Sequence, residues 1–248
     1  MKDILGEEAR FANTHYLPYA NDLNMNEELY RMYAEPTHKW NIRERGGMLL
    51  GNIRGQMILD YGSGMGEESI YLAKMGGIVT AIDISEVGIE ITRQRAIHNN
   101  CEVSAQVMDV TNTSFESESY DVIHGYGILH HIGLEVGLAE VRRLLKPGGR
   151  AVFFEHMENS ALIRFLKMCL GKGDYTSHEQ PVRWEDCERI SKKYFRHVEL
   201  YPYYLLGRLR RTFPMLASEL VQKSDYCSML MCPFLKYCAG SVVLSLEA

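Results

Sequence analysis

The sequence predicts an α/β fold: a doubly wound, seven-stranded, mostly parallel sheet with an N-terminal helical lid and a C-terminal helical cap insertion. Three observations carry this reading. Between residues 55 and 156, short β-rich runs alternate with helical patterns, as in a parallel sheet covered by helices. Two further strand-like runs, at 198–205 and 240–246, complete seven strands. A glycine-rich turn stands between the first run and the first helix of this region, where open α/β sheets bind ligands.

Taken in order, residues 1–50 are rich in Tyr, Asn, Glu and Met, including Tyr16, Tyr19, Tyr30, Tyr33 and Trp40. Their helical stretch at 26–33 and lack of strand alternation predict the lid. Residues 51–157 form the expected core. Its strands are read at 57–61, 78–84, 103–110, 120–125 and 150–155. Its helices are read at 67–74, stopping at Gly76 and Gly77; at 86–98, with Ser85 as N-cap; and at 134–145, closed by Lys146-Pro147-Gly148-Gly149. In residues 158–248 a helix is expected near 161–170, a polar loop at 171–180 and a helix at 184–194. The stretch 207–239 is read as a helical insert before the last strand.

With 248 residues, 46% hydrophobic and 24% charged, the chain suits one large core and excludes disorder or a collagen-like repeat. Twenty-seven basic against 32 acidic residues give a formal charge of −5, so no whole-chain field draws it to nucleic acid or an anionic membrane. A small-molecule partner is the default, and neither nucleic acid nor membrane is expected. No apolar run approaches the ~20 residues of a bilayer span, and the opening MKDILGEEAR is too acidic for a targeting peptide; a cytoplasmic protein is expected. The six cysteines include no C-x-x-C pair and read as reduced packing residues, with no metal site.

The turn Asp60-Tyr61-Gly62-Ser63-Gly64-Met65-Gly66-Glu67-Glu68 brings three glycines to a helix N-terminus, where free N–H groups meet a ligand. A pyrophosphate is repelled by Asp60, Glu67 and Glu68, whereas a ligand with an ammonium group and no phosphate is not; S-adenosylmethionine is such a ligand. Asp83 and Ile84 close the second run, where an acid accepts ribose hydroxyls. Asp109 and Val110 close the third, within reach of an adenine amine.

These segments resemble the class I S-adenosylmethionine-dependent methyltransferases of the small-molecule type. The resemblance rests on ILDYGSGMGEES, VTAIDIS, MDVTNTSF, YDVIHGYGILHHI and LKPGGRAVFFEH, and more loosely on EEARFANTHYLPYA, TSHEQPVRWEDCERI and PFLKYCAGSVVLSL. It implies a Rossmann-like methyltransferase fold in which S-adenosyl-L-methionine is the cofactor and S-adenosyl-L-homocysteine the product. By the same resemblance, Gly62, Ser63, Gly64 and Gly66 line the methionine and ribose part, Asp60 helps hold the amino group, and Asp83 with Ile84 binds the ribose. Asp109 with Val110 frames the adenine, and Gly125 and Tyr126 pass beside the methionyl chain. From their place in the lid, Tyr16 and Tyr19 are expected to close over the cofactor. Tyr61 stands where a small aliphatic residue is usual and is expected to narrow the site.

Methyl transfer is an in-line displacement, so geometry in a dry cavity is the main requirement. Where the acceptor has a proton to lose, a base near neutral pKa is useful. His130 and His131, past the fourth strand, are the expected bases, and the resemblance to sugar O-methyltransferases implies that Glu155 or His156 assists. The acceptor is expected to be a natural product, sugar or other metabolite methylated on O, N or C; a protein or lipid acceptor and a non-catalytic cofactor-binding protein are the alternatives. A nicotinamide-dependent dehydrogenase is disfavoured by the G-x-G-x-G spacing. The Tyr-rich outer helices suit either a homodimer contact or a roof over the site.

Overall fold

The structure, a computed structural model, describes residues 4–157, 182–209 and 213–248. The readings of a helix at 161–170 and a loop at 171–180 lie outside the described residues.

Three helices come first: α1 (Ile4–Tyr16), α2 (Glu27–Ala34) and α3 (Ile42–Leu50). The Asn26 side chain caps α2 by accepting from Leu29 N–H, and Asn41 caps α3 through Arg43 and Glu44. The alternating region then runs β1 (Met57–Tyr61), α4 (Glu67–Lys74), β2 (Ile78–Asp83), α5 (Glu86–His98), β3 (Val103–Val107), β4 (Tyr120–Tyr126), α6 (Leu129–Ile132), α7 (Leu134–Leu144) and β5 (Leu145–His156). Ser85 caps α5 by accepting from Gly88 N–H. After it come α8 (Trp184–Tyr194), β6 (His197–Tyr203), α9 (Glu219–Met231) and β7 (Ser241–Glu247).

The seven strands form one sheet in the order β3-β2-β1-β4-β5-β7-β6. Strands β1 to β5 pair in parallel, and β7 pairs antiparallel with both β5 and β6. The order reverses between β1 and β4, which places a topological switch point at their carboxyl ends. One face of the sheet buries Leu59, Ile123, Phe153 and Leu244 under α7 and α8; the other buries Ile58, Val122, Phe154 and Val243 with Tyr33, Leu50 and Tyr71. Adjacent strand residues divide between the faces, as the pleat requires.

Several boundaries differ from the sequence reading for local reasons. Strand β3 ends three residues early because Asp109 turns the chain, its Oδ1 accepting both the N–H and the hydroxyl of Thr111. Strand β5 starts five residues early: Leu145 already pairs with Tyr120, and pairing resumes with Arg150 opposite Val122 across an irregularity. Strand β6 stops at Tyr203 because Tyr204 takes a left-handed φ of 62°. In the insert, short 3-10 turns at Gly207–Leu209, Pro214–Ala217 and Pro233–Cys238 flank α9.

Candidate active site

The glycine turn leaves β1 with positive φ at Gly62, Gly64 and Gly66 (75°, 54° and 74°). Gly66 is the most constrained: a Cβ there would fall 2.5 Å from the Thr92 side chain on α5. Asp83 stitches the turn to the end of β2, Oδ2 accepting Gly64 N–H and Oδ1 accepting Ser85 N–H, both at 2.8 Å. Burial pushes the Asp83 carboxyl up from its ordinary value, against the pull of those N–H groups. Ile84 is half-buried just beyond. The Ser63 hydroxyl is buried and finds no hydrogen-bond partner among the described residues, an open valence in the cradle.

Helix α1 lies across this turn. Asn13 Oδ1 accepts from the Ser85 hydroxyl at 2.6 Å and from Val87 N–H at 3.2 Å. The Tyr16 hydroxyl stands 3.1 Å from where a Gly64 Cβ would be, and burial, with the Asp83 charge, raises its pKa. Tyr19 is 47% exposed beside His15. Further back along the same helix, Glu8 comes within 3.8 Å of His131 Nδ1.

Asp60 is 2% exposed and engaged on both oxygens: Oδ2 accepts from the Ser69 hydroxyl and Oδ1 lies 3.0 Å from His124 Nδ1. The other His124 ring nitrogen is 3.5 Å from the Tyr33 hydroxyl. Next to it Arg43 pairs with Glu68 and stacks its guanidinium 4.6 Å over the Tyr126 ring. Glu68 is therefore matched by a cation, which weakens its repulsion of anions.

Tyr61 does not narrow the site as expected. Its side chain turns into the core, edge-on to Phe153, and its hydroxyl donates to the Val110 carbonyl. It thereby ties β1 to the loop that carries Asp109 and Val110. At the end of β4, Gly125 sits so close to Phe153 that a Cβ would fall 2.4 Å from the ring.

Beyond Gly127 the three histidines come together. The His130 and His131 ring centroids are 4.2 Å apart, and those of His130 and His156 6.1 Å, with Tyr126 edge-on to His156. Glu155, buried at the end of β5, lies under them: Oε1 accepts the N–H groups of Ile128 and Leu129, and Oε2 is 2.8 Å from His130 Nδ1. Among the described residues no cluster of His, Cys, Asp or Glu has the makings of a metal site. Neither Glu8 and Asn13 nor Arg43 and His124 was singled out from sequence, and Tyr33 was read only as part of the lid; their partners lie up to 123 residues away along the chain, and no local pattern announces them.

Residues 58–149 match the family model described as a methyltransferase domain. By this match they are a methyltransferase domain. This methyltransferase domain is similar to a demethylmenaquinone methyltransferase of Clavibacter sepedonicus, 36% identical over 104 residues, 42% of each chain. A ubiquinone biosynthesis O-methyltransferase of Haemophilus ducreyi is 31% identical over 144 residues, 56% of this chain and 60% of that one. The chain thus spans about half the length of these curated relatives. In three dimensions it resembles the geranyl diphosphate C-methyltransferase of Streptomyces coelicolor, with a TM-score of 0.64 at 14% identity, over 99% of this chain and 98% of that one. That likeness carries the fold.

Proposed function

We propose that the chain is an S-adenosylmethionine-dependent methyltransferase acting on a small organic acceptor. The observation that carries the reading is the buried Glu155 carboxylate holding His130 at the same carboxyl edge as the Gly62–Gly66 turn and Asp83. The cradle suits the cofactor: the glycines admit close approach, the Ser63 hydroxyl has an open valence, and Asp83 offers carboxylate lone pairs. When bound, S-adenosylmethionine supplies an electrophilic methyl group for in-line displacement.

Gly62, Ser63, Gly64 and Gly66 then hold its methionyl and ribose part, Asp83 and Ile84 the ribose, Asp109 and Val110 the adenine, and Gly125 and Tyr126 the methionyl chain. Asp60 stiffens the turn from below through Ser69 and His124. Residues 4–50 act as the lid, with Tyr16 as its contact on the turn, and the segment 207–239 as a cap near the acceptor.

For an acceptor with an ionisable proton, Glu155 orients the His130 imidazole through Nδ1, and that imidazole serves as the base. His131 and His156 shape the pocket around it. The demethylmenaquinone and ubiquinone names of the relatives favour a hydroxylated aromatic acceptor.

A screen of hydroxylated, amino and aromatic small molecules with methyl-labelled S-adenosylmethionine tests this. Label in a product, lost in His130→Ala, is expected. Cofactor binding without transfer to any acceptor class contradicts it and leaves a binding protein.

A further inference from the structure

Asp60 and His124 are register partners on β1 and β4, the two strands that flank the switch point. Side chains alternate along a strand, so Asp60 shares its sheet face with Ile58, and His124 shares it with Val122. That face is otherwise packed with Phe154, Val243 and Tyr71. His124 is fully buried, and Asp60 and Tyr33 are 2% and 1% exposed. An apolar pair would fill the same space, and buried polar groups add little net stability even when paired. What they do fix is direction.

The contacts run without a break from the cofactor turn to the lid. The Ser69 hydroxyl donates to Asp60 Oδ2, Asp60 Oδ1 lies 3.0 Å from His124 Nδ1, and His124 Nε2 lies 3.5 Å from the Tyr33 hydroxyl. Burial pushes the Tyr33 phenol well above its ordinary value, so it keeps its proton and donates. A carboxylate only accepts. One arrangement of hydrogens therefore serves every member: Tyr33 O–H to Nε2, Nδ1–H to Oδ1, and Ser69 O–H to Oδ2. At one end Asp60 stands two residues before Gly62, and at the other Tyr33 belongs to α2. His124 itself directly precedes Gly125 and Tyr126.

Taking the Gly62–Gly66 turn as the S-adenosylmethionine site, we propose that His124 is a positioning residue that couples the lid to that turn. With α2 docked, Tyr33 holds the imidazole, the imidazole holds Asp60, and Asp60 sets the base of the turn. A ligand that needs the ordered turn then favours docked α2, and docked α2 favours the ligand by the same factor. A second tie, Arg43 on α3 to Glu68 on α4, runs alongside and is left intact by changes at Tyr33 and His124.

Amide exchange of the full chain with and without S-adenosylhomocysteine tests the coupling. In the wild type the ligand should slow exchange across α2 at least about fivefold. That slowing should vanish in Tyr33→Phe, which keeps the ring and loses only the hydroxyl. It should vanish too in His124→Gln, whose amide stands in for Nε2 and leaves Asp60 Oδ1 without its donor. Ligand affinity should fall by the same factor in both. A merely structural His124 would lower stability in the variants and leave the ligand's effect on α2 unchanged, and that result overturns the proposal. Long-range proton–nitrogen NMR of the unliganded chain should find a hydrogen on His124 Nδ1; a hydrogen on Nε2 alone overturns it as well. Binding to the wild type with unaltered α2 exchange defeats the coupling alone, whereas absence of binding defeats the functional reading and the coupling with it.

Discussion

Glu155 and His130 meet at the carboxyl edge of the sheet, Oε2 to Nδ1 at 2.8 Å, while the other carboxylate oxygen accepts the backbone N–H groups of Ile128 and Leu129. One buried carboxylate thus fixes both the entry to α6 and the orientation of an imidazole. A carboxylate can only accept, so the pair selects the tautomer with the proton on Nδ1.

If His130 is the base, His130→Ala lowers kcat by ~10² to 10⁴ with cofactor affinity nearly unchanged. Glu155→Gln keeps the shape but no longer favours that tautomer, so it lowers kcat less and shifts the pH profile. Steady-state kinetics of both variants against pH checks this; wild-type turnover in His130→Ala removes the base from the mechanism.

Tyr61→Phe deletes the hydroxyl that reaches the Val110 carbonyl and leaves that acceptor buried. A loss of ~1 to 3 kcal/mol is expected in urea denaturation. Cofactor binding should weaken as well, because Val110 is proposed to frame the adenine.

Asn13→Ala removes the side chain that receives Ser85 and Val87. About 1 kcal/mol of local docking energy corresponds to roughly fivefold faster amide exchange across α1, with the central strands unchanged. Equal exchange in the two proteins would show that α1 is held by other contacts.

Burial alone would raise the Glu140 carboxyl, but Arg143 and Thr113 outweigh it and hold it below its ordinary value. A depressed folded pKa contributes stability above the unfolded value that is lost as pH falls through the folded one. Glu140→Gln should therefore flatten the acid limb of stability below about pH 4. Asp83 has the opposite sign: burial raises it, so its contribution is lost as pH rises. Chemical denaturation of wild type and Glu140→Gln between acid and neutral pH reads the difference.

The strands and helices of the core were legible because each carries its own signal: β1, α4, α5 and α8 begin and end where period, caps and glycines place them. The extension of β5 was not, since Lys146 to Gly149 reads as a helix stop and only the partner strand reveals that Leu145 is already paired. The glycine turn and Asp83 were legible from residues adjacent in sequence. The inward turn of Tyr61 was not, because it depends on a carbonyl 49 residues away. Nor was the Asp60–His124–Tyr33 line, which joins two strands to a helix of the N-terminal region.

The most direct test of the account is calorimetric titration of the chain with S-adenosylhomocysteine, beside NAD and the Gly66→Ala variant. Saturable binding of S-adenosylhomocysteine and none of NAD is expected. Binding should be lost in Gly66→Ala, whose new methyl group is forced against Thr92 in a left-handed backbone. At 100 times its Kd the ligand should add ~2.7 kcal/mol of stability. Absence of S-adenosylhomocysteine binding to the intact chain, or preferential binding of NAD, would contradict the central claim.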